Sequence, residues 1–146
     1  MSAKLPQTWA FPAVITVHAE GDVSAAFPDL AEVLTGGATL DEARANAADA
    51  LEEAVLGRLA SSESVPLPRA AADGEELIVL DPTTAARAAL AHAMASEKIT
   101  NTALARRLGK TEGAVRRLTS GASGVKLDTV LQALAEVGHR GAFALL

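Results

Sequence analysis

A chain of 146 residues, 49% hydrophobic and 21% charged, can bury one ordinary core or two small ones, and this composition excludes a disordered chain. With no Cys, disulfide and zinc-thiolate frameworks are excluded, so packing and association must hold the fold, and a reducing compartment, the cytoplasm, is expected. The formal net charge of -5 divides unevenly, because residues 1–81 hold 4 Lys/Arg and 14 Asp/Glu, net -10, whereas residues 82–146 hold 9 and 4, net +5.

Halves of opposite sign call for partners of opposite sign, a polyanion for the second half and a basic partner for the first; two ordinary solvated faces are the plain alternative. The N-terminus lacks the basic-then-apolar pattern of a secretory signal, and no run approaches the about 20 apolar residues that cross a bilayer, so no membrane role is expected.

In chain order, residues 11–18 (FPAVITVH) and 22–27 (DVSAAF) read as a β-hairpin turning at Glu20-Gly21. Pro28-Asp29 stops the second strand, and residues 31–34 make a third before Gly36-Gly37. Thr39 and Glu42 form a capping box in which each side chain is expected to take the other residue's amide, so a helix starts at Leu40. Leu40, Ala43, Ala47, Ala50, Leu51, Ala54 and Val55 recur at helical spacing and face the sheet. A Ser- and Pro-containing loop over residues 61–74 leads to a fourth strand at 77–80 (LIVL), which completes a βββαβ domain over residues 1–80.

Asp81-Pro82 starts a second domain, residues 81–146, because Pro is favoured at the first helical position behind an Asp cap. Helices are expected at 83–96, 101–108, 112–118 and 127–137, the last stopped by Gly138, and residues 141–146 (GAFALL) read as a terminal strand. The fold class is α+β, a βββαβ domain followed by an all-α domain with a terminal β-strand.

Residues 101–120 (NTALARRLGKTEGAVRRLTS) meet the requirements of a helix-turn-helix. Leu104 and Leu108 face the core, Ala105 is small where two helices cross, Gly109 ends the first helix, Thr111 caps the second, and Val115 and Leu118 return it to the core. Glu112, Gly113, Arg116 and Arg117 then project outward from the helix that enters the major groove, while Arg106, Arg107, Lys110 and Lys126 supply a phosphate-binding rim. A helical hairpin with a solvated basic face is the plain alternative, and the coincidence of register with net +5 weighs against it.

Residues 104–121 (LARRLGKTEGAVRRLTSG) resemble the helix-turn-helix of the Cro/C1 (XRE-like) repressor group, and FPAVITV, AAFPDL and GGATLDEARANAADALEEAV together resemble the N-terminal domain of HicB antitoxins. The resemblance covers residues 11–146 and implies a type II antitoxin whose N-terminal domain, a partial ribonuclease-H-like fold, blocks a HicA-like mRNA-cleaving toxin, a small basic protein. It also implies that the C-terminal domain binds its own operator DNA as a homodimer and represses the operon, with a hetero-oligomer formed by the toxin. On that basis toxin contacts are expected at Asp29, Glu32, Asp49, Glu52 and Glu53, and dimer contacts at Ala142, Phe143, Ala144, Leu145 and Leu146. Two departures from the XRE pattern stand out. Glu112 and Gly113 occupy the first outward positions, where Gln or Ser is common, so base reading would rest on Arg117 and Arg116. Thr100 also lacks the Glu three residues later that would complete a capping box.

No enzyme is expected. Nuclease chemistry needs clustered carboxylates around two metal ions, and the first strand has none. His18, His92 and His139 lie far apart without metal-ligand spacing, and Ser61, Ser62 and Ser64 lack a nucleophile elbow, so neither a catalytic residue, a metal nor a cofactor is expected. The competing function is a stand-alone transcription regulator whose first domain senses a small ligand, which would require an apolar pocket.

Overall fold

In the computed structural model, which describes residues 4–146, a four-stranded antiparallel sheet and five helices form in the order β1 (Ala10–Val17), β2 (Val23–Phe27), β3 (Leu30–Gly37), α1 (Leu40–Ala60), β4 (Glu76–Val79), α2 (Pro82–Glu97), α3 (Asn101–Leu108), α4 (Glu112–Leu118) and α5 (Leu127–Glu136). These divide into two compact units: residues 6–56 with 66–81, and residues 57–65 with 82–146. The boundary expected near residue 80 is therefore crossed once more, because the last turn of α1 and the loop to Val65 group with the helical unit.

The sheet runs β3-β2-β1-β4. Gly21, at φ 97°, makes the tight β1–β2 turn with His18 and Asp22 closing it, while the β2–β3 register shifts between Ala26 and Phe27. β3 runs three residues beyond the predicted end at Leu34, through Gly36 and Gly37. Gly36 is required there by close approach, since a Cβ would fall onto the Val23 carbonyl oxygen. β4 pairs with β1 through Ala10↔Val79 and Ala13↔Glu76, which buries Phe11, Ala13 and Ile78 on one face.

That face is covered by α1, whose Ala43, Ala47, Leu51 and Val55 are all fully buried in one stripe. Asn46 donates to the Gly36 carbonyl and Arg44 to the Glu76 carboxylate, which tie α1 to both sides of the sheet. The helix starts at Leu40 with the Glu42 amide donating to Thr39 Oγ1 at 3.1 Å. The reciprocal arm differs from expectation, because Glu42 Oε2 accepts from the Ala38 amide at 3.2 Å rather than from Thr39.

In the helical unit α2 lies beside α5, and α3 packs on α4 and α5. Leu90, Leu104, Val115 and Val130 are fully buried at its centre, whereas Leu108, expected in the core, is only half-buried. Gly138, at φ 90°, ends α5, and the His139 amide returns to the Leu134 carbonyl at 2.9 Å. Residues 141–146 form no strand: ladder hydrogen bonds need a second strand, and nothing in the described chain pairs with them. Phe143, Leu145 and Leu146 are left 74%, 89% and 85% exposed.

Candidate functional site

The geometry of α3 and α4 follows from their caps. Thr100 accepts from the Ala103 amide at 3.0 Å, Gly109 adopts the left-handed conformation (φ 65°, ψ 32°), and Thr111 accepts from the Ala114 amide at 3.1 Å. Three residues, Gly109, Lys110 and Thr111, thus separate two short capped helices whose inner sides bury Leu104, Ala105, Val115 and Leu118.

The outer sides carry the charge. Arg106, Arg107, Lys110, Thr111, Arg116, Arg117 and Lys126 are exposed, and Glu112 and Gly113 are half-buried. Thr111 spends its hydroxyl on the cap. Arg116 Nη2 lies 3.3 Å from Glu112 Oε2 one turn away, so the carboxylate that could repel a phosphate is neutralised by its own helix. Arg117 Nη2 donates to the Ser123 carbonyl at 2.9 Å, which leans its guanidinium towards the loop before α5. A Cβ at Gly113 would meet only the Arg116 guanidinium, 3.8 Å away, so packing does not demand glycine there.

Arg87, on α2, was not singled out in the sequence. It is 5% exposed, and its Nε and Nη2 donate to the carbonyls of Leu118 at 2.9 Å and Arg117 at 3.2 Å. These carbonyls end α4, where Thr119 (φ -117°) makes no left-handed cap, so a side chain from another helix supplies the donors. Burial, and then the neighbouring Arg117 charge, lower the Arg87 pKa below its usual value. The available sequence signal was a lone cation between Thr84 and Leu90, each three residues away in the buried stripe of α2.

The five acidic residues expected at a toxin interface are not brought together. Asp29 holds Arg69 Nε at 2.9 Å, which gives it an intramolecular task. Glu32 lies on the edge strand β3, whereas Asp49 and Glu53 are on the exposed side of α1, away from its buried stripe, and Glu52 is half-buried on the same helix.

Arg69 also pairs with Glu75 at 2.8 Å, with the Ala72 amide donating to the same carboxylate at 2.7 Å, so the loop before β4 is clamped to the β2–β3 turn. The Arg69 hydrogen bond, followed by the Ala72 amide, holds the Glu75 pKa down to about 2 from 4.5. A lowered carboxylate pKa stabilises the fold above the unfolded value and loses that contribution as pH falls through the folded one. Acidification from 4.5 towards 2 should therefore release the clamp, as an NMR titration of the Glu75 carboxyl carbon would report. A midpoint at 4.5 would show that the clamp is absent in solution.

A shallow pocket of about 230 Å³ lies under this clamp, lined by Thr8, Ala10, Pro68, Arg69, Ala70 and Leu77. It is smaller than the roughly 300–1,000 Å³ of ordinary ligand sites, which gives a sensor domain little to work with. Among the described residues no three His, Asp or Glu side chains gather closely enough to hold a metal ion, and no helix is long and apolar enough to cross a membrane.

Residues 10–89 match the family described as HicB-like antitoxins of bacterial toxin-antitoxin systems. The chain is 34% identical to Antitoxin HicB 2 of Photorhabdus laumondii over 121 residues, 83% of this chain and 86% of that one. It is also 32% identical to Antitoxin HicB of Escherichia coli K12 over 128 residues, 88% and 93% of the two chains.

Proposed function

Because this chain belongs to the HicB-like antitoxin family, and is an antitoxin of a toxin-antitoxin system, we propose that it neutralises a HicA-like mRNA-cleaving toxin through its sheet unit and represses its own operon through its helical unit. The carrying observation is the segregation of charge between the two units. The sheet unit has two cationic side chains against thirteen carboxylates, net -11, and the helical unit with the N-terminal segment has eleven against five, net +6. A basic toxin suits the first and a polyanion the second.

In this reading α3 and α4 are a Cro/C1-like helix-turn-helix, α4 enters the major groove, and the sheet with α1 is a partial ribonuclease-H-like fold. The exposed Arg106, Arg107, Lys110 and Lys126 supply phosphate contacts, and Arg116 and Arg117 exchange weak intramolecular partners for DNA. Glycine at 113 lets a backbone or base edge approach α4 closely.

Palindromic operators need a two-fold protein, and the exposed tail supplies an apolar segment for one: residues 142–146 pair with the same segment of a second copy. Removing Ala142–Leu146 is expected to give monomers by light scattering and at least about tenfold weaker promoter binding. A truncated chain that stays dimeric with full affinity removes the tail from the interface.

The function as a whole is tested by capturing partners of the full chain from its native host and by titrating the chain onto its own promoter at several salt concentrations. A small basic ribonuclease and a steep salt slope are expected; capture of neither toxin nor promoter contradicts the reading.

A further inference from the structure

We propose that the toxin docks on the open face of the sheet, over Val14, Ala26 and Leu34 and along the unpaired outer edge of β3. The proposal rests on the antitoxin reading above and adds the surface to it. Residues directly opposite in an antiparallel pair share a face, so the pairs Val14↔Ala26 and Ala26↔Leu34 form one row across three strands. The face covered by α1 holds the alternate residues, Phe11, Ala13 and Ala25, all fully buried. On this face Val14 is 39% and Leu34 77% exposed; towards β4 Ala10 and Pro12 are buried, and their partners Val79 and Leu77 are 51% and 44% exposed. A single exposed Leu needs no explanation, but four large apolar residues on one sheet face do.

The row ends at β3, an edge strand of eight residues, whose outer backbone groups are a template for an added strand. Charge selects the occupant. Both arginines of the sheet unit are spent internally, Arg44 on Glu76 and Arg69 on Asp29 and Glu75, so the carboxylate excess faces outward. The sheet unit of a second copy, itself net -11, is repelled from this face, as is a nucleic acid, whereas a cationic protein is attracted. Glu32, exposed on the same edge strand two residues before Leu34, adds an acidic group beside the apolar row. Asp49 and Glu53, on the far side of α1, act on encounter and not on the seated complex.

The test uses the full chain and the refolded product of the reading frame adjoining its gene. Val14→Arg with Leu34→Arg is expected to leave circular dichroism, melting temperature and promoter binding unchanged while raising toxin dissociation at least about 100-fold. Asp49→Lys with Glu53→Lys should slow association by about three- to tenfold and leave dissociation within about twofold. Hydrogen exchange should show residues 30–37 protected in the wild-type complex, a readout that holds even if the arginine variant unfolds. Wild-type dissociation by the arginine variant, or no protection along β3, overturns the docking surface alone. A wild-type chain that fails to bind this protein removes the partner assignment and the docking surface together.

Discussion

Replacing Arg87 by Ala is expected to lower the free energy of unfolding by about 2–4 kcal/mol, because the buried Leu118 carbonyl loses its side-chain donor, the part-buried Arg117 carbonyl keeps only the Ser120 hydroxyl at 3.5 Å, and the guanidinium volume becomes a void. Typical domains have only about 5–15 kcal/mol in total, so the melting temperature should fall by several degrees. Arg87→Lys should recover only part of the loss, since one ammonium cannot span both carbonyls as the planar guanidinium does. The structure puts Arg87 in contact with the carbonyls of Arg117 and Leu118, so the Lys variant should also shift the amide resonances of α4 more than those of the sheet. Urea denaturation that finds Arg87→Ala within about 0.5 kcal/mol of wild type would show that these hydrogen bonds contribute nothing net.

The double substitution Arg116→Ala, Arg117→Ala has the second large expected effect. Both guanidinia are exposed, and their present partners, Glu112 and the Ser123 carbonyl, lie at the surface, so removing them costs the fold little. Each arginine lost from a groove or phosphate contact weakens binding by about 1–3 kcal/mol, so promoter affinity should fall at least about 30-fold, with a salt slope lowered by about 1–2. Sequence preference should relax as well, which separates these residues from Lys110, whose removal should weaken all sequences alike. Gel shifts on promoter and scrambled DNA measure this, and unchanged promoter binding contradicts the recognition role given to α4.

Local signals were legible where a few neighbouring residues decide the backbone. Thr100, Gly109 and Thr111 bound α3 and α4 at the predicted residues, because caps and left-handed glycines act within one turn. Gly138 likewise marks the end of α5. Legibility failed where partners lie far along the chain. Arg87 meets Arg117 and Leu118 from about 30 positions away, and Asp29 is taken by Arg69, so neither task shows in local spacing. The tail failed for a different reason. GAFALL has strand composition, but a strand is defined by its neighbour, and the described chain provides none. Net charge marked the two units correctly in sign, yet it could not say that Gly57–Val65 joins the helical one.

The central claim is that two units of opposite charge serve two partners through separate surfaces. It is tested most directly by carrying Arg116→Ala with Arg117→Ala, and Val14→Arg with Leu34→Arg, in otherwise intact chains, and measuring growth under toxin expression together with activity of the native promoter for each. The first variant should protect growth fully while the promoter is derepressed, and the second should lose protection while it still represses. If either variant loses both activities while circular dichroism shows it folded, the two surfaces are not separate, and the division of labour proposed between the sheet unit and the helical unit is wrong.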